Sequence, residues 1–302
     1  TVNKAEPTMQ TEITSDIKAG DECVVVQVVL PEDATGNVML LIDGEPVNQM
    51  DYNLINGTVN ITVPADFVTA GRHSYYVSYD GDDNYTSAYD FKSFEVSKVT
   101  PTVTIVLDGE VGVAGGALVN ISVASDATGK LLIDNNGALS IVELTNGNYT
   151  LEIYDLVAGE YYINVTYIGD DKYSETNASK VFTVPKSDVE MKYETVTPEV
   201  KYGENAIVKV DIAPDFATGN VTIFVDGKEY GTFDLDEDYA NATIIISGLA
   251  MGSHNITVTY NGDENYNAKT GTTVNAITVT KGQPTIDIML YHDVIEVGSE
   301  IT

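Results

Sequence analysis

Paired acidic residues recur in a short motif that is present three times, and such pairs could supply oxygen ligands to a calcium ion. The motif reads Tyr-x-Gly-Asp-Asp/Glu-x-Tyr and occupies residues 79–85, 167–173 and 260–266. Calcium takes about six to eight oxygen ligands. The loop is not an EF-hand, because the twelfth position counted from Asp80 is Phe91 and not Glu. Calcium is the one cofactor the sequence leaves open, with candidate ligands Asp82, Asp83, Asp170, Asp171, Asp263 and Glu264.

A purely structural role explains the same motif. Glycine permits a turn with positive φ after a strand, and the following Asp can accept backbone N–H bonds and fix an Asx turn. The two tyrosines can pack their rings over the end of a β-sandwich. The sequence favours this role over calcium binding, and its residues are Tyr79, Gly81, Tyr85, Tyr167, Gly169, Tyr173, Tyr260, Gly262 and Tyr266.

Ten Asn-x-Ser/Thr sequons form the second chemical feature. Strands that alternate polar and apolar residues produce some sequons automatically, as Asn-Val-Thr at Asn164 and Asn-Ile-Thr at Asn255. The alternative is a glycosylated extracellular surface. The candidate acceptors are Asn56, Asn60, Asn84, Asn120, Asn148, Asn164, Asn177, Asn220, Asn241 and Asn255.

Catalysis finds little support, and we expect no enzyme and no catalytic residue. The chain lacks His-Glu-x-x-His, Gly-x-Ser-x-Gly and any cysteine cluster. His73 and His254 fall at equivalent positions of two repeats, but the other repeat has Tyr161 there.

Charge and hydropathy exclude two further classes of function. The net charge is −31, with 46 acids and Arg72 as the only arginine, so a basic footprint for nucleic acid is missing. No apolar run reaches the length of a membrane span. The lone cysteine, Cys23, precedes an apolar strand and is expected to be a small buried hydrophobe.

The motifs recur because the chain is a tandem repeat. The three Tyr motifs start 88 and 93 residues apart, and Ala-Thr-Gly turns at Ala34, Ala127 and Ala217 are 93 and 90 residues apart. Because both markers recur with the same period of about 90 residues, we infer that one unit is copied in tandem. We predict a first repeat at 1–98, a second at 99–186, a third at 187–281 and the truncated start of a fourth at 282–302. We therefore expect the chain to be a piece of a longer repeat protein.

The elements that carry the motifs are predicted to be β-strands. Apolar residues recur with period two, and Asp-Gly, Asn-Gly and Ala-Gly turns separate the runs. The third repeat predicts seven strands, at 189–196, 206–212, 220–226, 230–233, 242–247, 254–260 and 272–280. Seven short strands in about 90 residues is the immunoglobulin-like count. We predict an all-β fold, with tandem immunoglobulin-like β-sandwich domains in an elongated array.

The Tyr-x-Gly-Asp loops and the Ala-Thr-Gly turns resemble bacterial-type Ig-like repeats, particularly those of the adhesin-like surface proteins of methanogenic archaea. The resemblance covers residues 8 to 281. It implies a non-catalytic stalk or spacer on the cell surface, extracellular and anchored through regions outside this chain. It also implies modules that are monomeric in the array, with an unknown surface glycan or protein as partner.

Two alternatives remain open. The modules themselves could bind a glycan or protein, or they could be accessory repeats of a secreted enzyme. An exposed aromatic patch in one repeat would favour binding, and Tyr52 and Tyr89 are the nearest residues to that description.

Overall fold

The computed structural model describes residues 3–47, 52–283 and 286–287. Within these ranges the regular structure consists of β-strands and one short 3-10 helix at Ala65–Phe67. The fold is therefore all-β. The start of the fourth repeat, 282–302, lies almost wholly outside the described residues.

The first repeat contains two sheets. Strands β1, β2 and β6 form one, and β3, β4, β5, β7 and β8 form the other, with β7 between β3 and β8. The strands are β1 Gln10–Ile13, β2 Val24–Val29, β3 Asn37–Ile42, β4 Glu45–Pro46, β5 Tyr52–Asn53, β6 Thr58–Val63, β7 Gly71–Tyr79 and β8 Ala88–Val96. Cys23, immediately before β2, is a free and exposed cysteine, so the expectation that it is buried was wrong.

The second repeat also has a pair of sheets, ordered β13-β10-β9 and β12-β11-β14-β15. Its strands are β9 Thr104–Asp108, β10 Ala117–Ser122, β11 Lys130–Asn135, β12 Ala138–Glu143, β13 Asn148–Ile153, β14 Gly159–Tyr167 and β15 Thr176–Val184. The neighbours in each sheet for which the register is defined run antiparallel.

The third repeat has a three-stranded sheet ordered β16-β18-β21 and a five-stranded sheet ordered β17-β23-β22-β19-β20. Its strands are β16 Glu190–Thr195, β17 Glu199–Lys201, β18 Ala206–Ala213, β19 Asn220–Val225, β20 Lys228–Asp234, β21 Asn241–Ile246, β22 Gly252–Tyr260 and β23 Lys269–Thr280. The opening strand starts in one sheet and then crosses to the other, where β17 pairs in parallel with β23. This topology is immunoglobulin-like.

The sequence predicted seven strands here, and the structure has eight. The expected opening strand, 189–196, ends at Thr195, and a separate short strand begins at Glu199. Pro198 lies between them and has no N–H to donate to a ladder. The strand predicted at 230–233 is longer, covering Lys228–Asp234.

The cores lie between the paired sheets. In the third repeat, alternate residues of facing strands are almost fully buried, for example Val208 and Ile244 from one sheet with Ile223 and Val258 from the other. The first repeat is built the same way, with Val26 and Ile61 facing Leu40 and Val77. Period-two burial of β-branched side chains is what holds these sheets face to face.

The chain divides into two compact units. The first contains nearly all of the first two repeats, and the second contains the third repeat. Two short segments, 112–114 and 156–159, belong to the second unit. The repeat boundaries themselves stay a prediction.

Candidate functional site

The first Asp of the motif joins its own loop to a distant turn. In the first repeat, Oδ1 of Asp82 accepts hydrogen bonds from the backbone N–H groups of Asn84 and Tyr85, both at 2.8 Å. Its Oδ2 accepts the backbone N–H and the hydroxyl of Thr35, at 2.7 and 3.0 Å. Thr35 belongs to the Ala-Thr-Gly turn before β3. One side chain therefore closes an Asx turn and links the two repeated motifs.

The same four hydrogen bonds are made in the other two repeats by Asp170 and Asp263. Their lengths lie between 2.7 and 3.2 Å. The donors to Asp170 are the N–H groups of Lys172, Tyr173 and Thr128 with the Thr128 hydroxyl, and those to Asp263 are the N–H groups of Asn265, Tyr266 and Thr218 with the Thr218 hydroxyl.

These donors stabilise the ionised carboxylates. For Asp82, the backbone N–H of Thr35 is the main cause of a pKa held far below its ordinary value. Burial opposes ionisation of Asp170, but the N–H groups of Thr128 and Tyr173 outweigh it and lower the pKa to about 2. The pKa of Asp263 is also lowered by its N–H donors, against the effect of burial. Each loop therefore carries a fixed negative charge at neutral pH.

The motif glycine is required by both backbone conformation and space. Gly169 has φ of +92°, and a Cβ there would lie 2.9 Å from the carbonyl oxygen of Tyr173. Gly81 and Gly262 have the same constraint, with φ of +90° and +79°. A side chain would be strained in the left-handed region and would also collide with the backbone of the loop.

The first tyrosine of each motif is part of the core. Tyr79, Tyr167 and Tyr260 are among the largest fully buried side chains. Burial raises the pKa of the Tyr79 hydroxyl to about 12. The hydroxyl of Tyr260 donates a 2.9 Å hydrogen bond to the carbonyl oxygen of Thr218, again in the Ala-Thr-Gly turn.

The second tyrosine lies over the loop before the Ala-Thr-Gly turn. In the first two repeats its hydroxyl donates to a carboxylate at 2.7 Å, and in the third its ring contacts a phenylalanine, with centroids 6.1 Å apart. The pairs are Tyr85 with Asp33, Tyr173 with Asp126 and Tyr266 with Phe216.

The loop is also where the chain enters each repeat. Val99 donates its N–H to the carbonyl oxygen of Lys172 at 3.0 Å and accepts the N–H of Ser174 at 2.9 Å. Ala5 and Ser187 form the equivalent parallel bridges, to Tyr85 and Tyr266. In addition, the ammonium groups of Lys98 and Lys186 donate to the carbonyl oxygens of Asp170 and Asp263.

Ser97, on the other side of Lys98, is hydrogen-bonded as well. Ser97 donates its N–H to the carbonyl oxygen of Ile17, and Ala19 donates to the carbonyl oxygen of Ser97, both at 2.9 Å. Ser97 is therefore hydrogen-bonded to the segment before β2, and Val99 to the Tyr-x-Gly-Asp loop before β15. A single residue, Lys98, separates them.

The calcium candidates divide into two groups. Asp82, Asp170 and Asp263 direct both carboxylate oxygens at N–H and O–H donors, so a cation there would have to compete with two donors at each oxygen. The second acids, Asp83, Asp171 and Glu264, sit beside them in the loops. Within the described residues, no group of three or more His, Cys, Asp or Glu is arranged to hold a metal ion. Calcium binding stays a prediction.

A second side-chain constellation was not foreseen from the sequence. His73 places Nδ1 2.6 Å from Oδ2 of Asp43 and Nε2 2.8 Å from the carbonyl oxygen of Thr69. His254 makes the same contacts with Asp226, at 2.6 Å, and with the Ala250 carbonyl, at 2.8 Å. Because both ring nitrogens face acceptors, the arrangement suits a doubly protonated ring. The available signal was that an Asp-Gly turn precedes an equivalent histidine in both repeats, by 30 residues in one and 28 in the other.

The hydrogen bonds also set the pKa values of these groups. For His254, the Ala250 carbonyl and then Asp226 raise the pKa above its ordinary value, against burial. For His73, burial lowers the pKa, but the hydrogen bonds to Asp43 and the Thr69 carbonyl outweigh it and the net shift is upward. The pKa of Asp226 is lowered, mainly by the backbone N–H of Asn255.

The second repeat replaces both members of the pair. Asn136 occupies the turn position with φ of +49°, and its side-chain oxygen accepts the N–H of Tyr162 at 2.7 Å. Tyr161 takes the place of the histidine and stacks on Phe182, with ring centroids 5.2 Å apart. An uncharged pair thus occupies the position of a charged one.

All ten sequon asparagines lie at the surface of the described chain. Three are half-buried, namely Asn220, Asn241 and Asn255. The other seven are exposed, namely Asn56, Asn60, Asn84, Asn120, Asn148, Asn164 and Asn177. Each is therefore open to modification as far as burial is concerned.

Comparison with known proteins gives one family match. Residues 194–280 match the family described as Bacterial Ig-like domain (group 3). No curated protein matches the chain. In the part of the chain that the structure describes, no helix has the length and apolar character needed to cross a membrane.

Solved structures similar to this chain include repeat and modular proteins. One is a tetra-tandem repeat in the extending region of a large adhesion protein, at 16% identity over 91% of this chain and 74% of that one, with a TM-score of 0.46. Another is the fibronectin(III)-like modules of Clostridium thermocellum CbhA, at 17% identity, 63% and 100% coverage and a TM-score of 0.25. A third is the titin I9-I11 tandem, at 12% identity, 90% and 100% coverage and a TM-score of 0.28.

Proposed function

We propose that these repeats are a non-catalytic spacer in an extracellular, adhesin-like surface protein, whose stalk projects a binding region away from the cell. The observation that carries the proposal is the junction at Lys98. Ser97 is hydrogen-bonded into one repeat and Val99 into the next, and a one-residue connection leaves little freedom for a hinge. Restricted bending is what a spacer needs to convert repeat number into distance.

The repeated loop supports the same function. Each Tyr-x-Gly-Asp loop secures the segment at which the chain enters its repeat, through Ala5, Val99 or Ser187. The carboxylates of the loop are committed to internal donors, which is the role of a structural element and not of a reactive one. The match of residues 194–280 to a bacterial Ig-like family agrees with this use.

The rigidity of the junction can be measured directly. Cys23 is the only cysteine and is exposed, so a spin label there and a second on Ser140→Cys, in the second repeat, report the distance between repeats. We expect a narrow distance distribution. Insertion of a five-residue Gly-Ser segment after Lys98 should broaden it. Equally broad distributions in both proteins would contradict a spacer with fixed junctions.

Surface placement and glycosylation form the second part of the proposal. The ten surface asparagines and the net charge of −31 suit an exposed, hydrated extracellular chain. An intact mass of the protein from its native host above that of the bare polypeptide would support glycosylation. A mass equal to the polypeptide would refute it.

A further inference from the structure

One surface of the first repeat is unlike its counterparts. Strands β3, β7 and β8 turn one row of alternate residues into the core, including Tyr75 and Val77, and the other row outward. The register places Tyr76 between Leu41 and Phe91, and Ser78 between Met39 and Tyr89. We call the outward group the aromatic face; it consists of Met39, Leu41, Tyr76, Tyr89 and Phe91.

The aromatic face presents flat rings to solvent. Tyr89 is 72% exposed and Phe91 is 62% exposed. The rings of Tyr76 and Tyr89 stack with centroids 5.9 Å apart and planes inclined by 26°. Tyr52, which the sequence also suggested, is not part of this surface, because it packs against the core of the repeat.

The positions of the three rings are polar in the other repeats. Counted from the first tyrosine of each motif, the positions of Tyr76, Tyr89 and Phe91 are held by Asn164, Asn177 and Ser179 in the second repeat and by Thr257, Thr270 and Thr272 in the third. In the third repeat the hydroxyls pair across strands, at 2.9 Å between Thr257 and Thr272. At these three positions the other two sheets fold without aromatic residues, so packing does not require the rings of Tyr76, Tyr89 and Phe91. The outward rows of those sheets carry their aromatic residues elsewhere, Tyr162 beside Asn164 in the second repeat and Phe224 opposite Thr257 in the third.

The sequons also distinguish the first repeat from the other two. Asn164 and Asn177 lie on the corresponding face of the second repeat, and Asn255 lies on that of the third, one step along its strand from Thr257. The aromatic face carries no sequon. If the sequons are glycosylated, the first repeat keeps this face uncovered where the other two do not.

Charge indicates what kind of partner fits. The charged residues around this face form pairs of opposite sign at one end of the strands. Arg72 is opposite Glu95, and Asp43, which accepts the Ser74 hydroxyl, is paired with His73. Between them and the rings lie serine hydroxyls, and Arg72 donates to Ser93 at 3.2 Å. The face is therefore neutral within a chain of net charge −31, so its complement is an uncharged partner.

A second copy of the chain fits poorly. Two chains of this charge repel each other, and five side chains are far fewer than the roughly 20–30 residues a side of a stable protein interface. A neutral sugar chain fits better. The C–H groups of a pyranose ring carry partial positive charge and meet the negative face of an aromatic ring, while its hydroxyls can bond to the serine and arginine donors beside it.

We propose that the aromatic face of the first repeat binds a neutral polysaccharide, with pyranose rings stacked on Tyr76, Tyr89 and Phe91. This goes beyond the spacer function, since it makes one repeat adhesive in itself. The two are tested separately, because junction rigidity and sugar binding are different measurements on different residues.

The test is affinity electrophoresis of the 302-residue chain in gels containing soluble neutral polysaccharides (hydroxyethylcellulose, galactomannan, xylan or starch), with depletion onto chitin. We expect retardation or depletion by at least one. The double variant Tyr89→Thr/Phe91→Thr, which installs the residues of the third repeat, should weaken that binding by at least about tenfold.

A matched control is Tyr239→Thr, which removes a tyrosine of similar exposure, 65%, from the third repeat and should leave binding unchanged. The proposal is overturned if no neutral probe binds, if the double variant binds as well as the native chain, or if only an anionic polysaccharide such as alginate binds. It is also overturned if the face instead mediates a concentration-dependent dimer that the double variant abolishes.

Discussion

The Tyr-x-Gly-Asp loops and the outward sheet faces of the three repeats behave in opposite ways. The loops make the same four carboxylate hydrogen bonds at Asp82, Asp170 and Asp263. By contrast, the positions of the three exposed rings of the first repeat hold asparagine and serine in the second repeat and threonine in the third. Positions that repeat with identical contacts are those that folding requires. Positions that vary between folded copies are free to carry a property of one repeat alone.

The largest test of this comparison is Gly169→Ala. Its φ of +92° and the 2.9 Å approach of a Cβ to the Tyr173 carbonyl predict a loss of about 3 kcal/mol in the free energy of unfolding of the second repeat. Native-state hydrogen exchange of peptides from that repeat measures it. The control is Gly137→Ala, where φ is +89° but nothing lies within 4 Å, so only about 1 kcal/mol should be lost. Equal losses at the two glycines would show that the loop contact is unimportant.

Removal of the loop carboxylate should have the next largest effect. Asp170→Ala and Asp263→Ala each delete four hydrogen bonds and should each destabilise their own repeat by about 2 kcal/mol. Local hydrogen exchange again reports the repeat concerned. Asp171→Ala, at the neighbouring acid, serves as the control and should change little. If the losses in the free energy of unfolding of the two repeats differ by more than about 1 kcal/mol, the two loops are not equivalent.

Removal of the loop carboxylates also tests whether they bind calcium. If calcium binds through these carboxylates, adding it should raise the melting temperature of the native chain and have no effect on a triple variant lacking Asp82, Asp170 and Asp263. Because their oxygens already accept internal donors, we expect no calcium-dependent change in the native chain.

Much of this fold could be predicted from the sequence, because strands and turns are encoded by residues that are neighbours in the chain. Period-two runs such as Thr58–Val63 and the Asp-Gly turns depend on neighbouring residues only. The split of the opening strand around Pro198 was missed, because the hydrophobic pattern continues across the point where the chain changes sheets. Two motifs recurring with one period showed that a unit is copied, but not that Asp82 contacts Thr35.

The site was harder to predict because its contacts are long-range. Asp43 and His73 meet through the antiparallel pairing of β3 with β7, and Tyr76 meets Phe91 through that of β7 with β8. The register between paired strands decides which side chains share a face. The register cannot be deduced from a single residue such as Tyr89. The charged Asp–His pairs and the aromatic face therefore became visible only once strands were aligned.

The Asp–His pairs extend the comparison to pH. The pKa values of His73 and His254 are raised on folding, so the stabilisation is complete below the unfolded value of about 6.5 and is lost as pH rises through the folded value. The pKa of Asp226 is lowered, so its contribution is present above about 3.9 and is lost as pH falls. The first and third repeats should be stabilised most between these limits, and the second repeat should lack the effect.

Titration of the two histidines by NMR measures these pKa values, and both are expected above about 6.5. Raising the pH from 6 to 9 should lower the free energy of unfolding, measured by chemical denaturation, because each histidine loses its proton over this range. The double variant His73→Tyr/His254→Tyr, which carries the residue of the second repeat, should lose this dependence. Histidine pKa values at or below the ordinary value would contradict the double acceptor geometry.

The smallest expected effect lies on the aromatic face and completes the contrast with the loops. Tyr89 and Phe91 are exposed on β8, and tyrosine, phenylalanine and threonine all suit a strand. Tyr89→Thr/Phe91→Thr should therefore change the stability of the first repeat by less than about 0.5 kcal/mol. Local hydrogen exchange of β7 and β8 is the measurement. A loss as large as that at Gly169 would mean that the rings hold the sheet together, and the difference between the faces would then reflect folding and not binding.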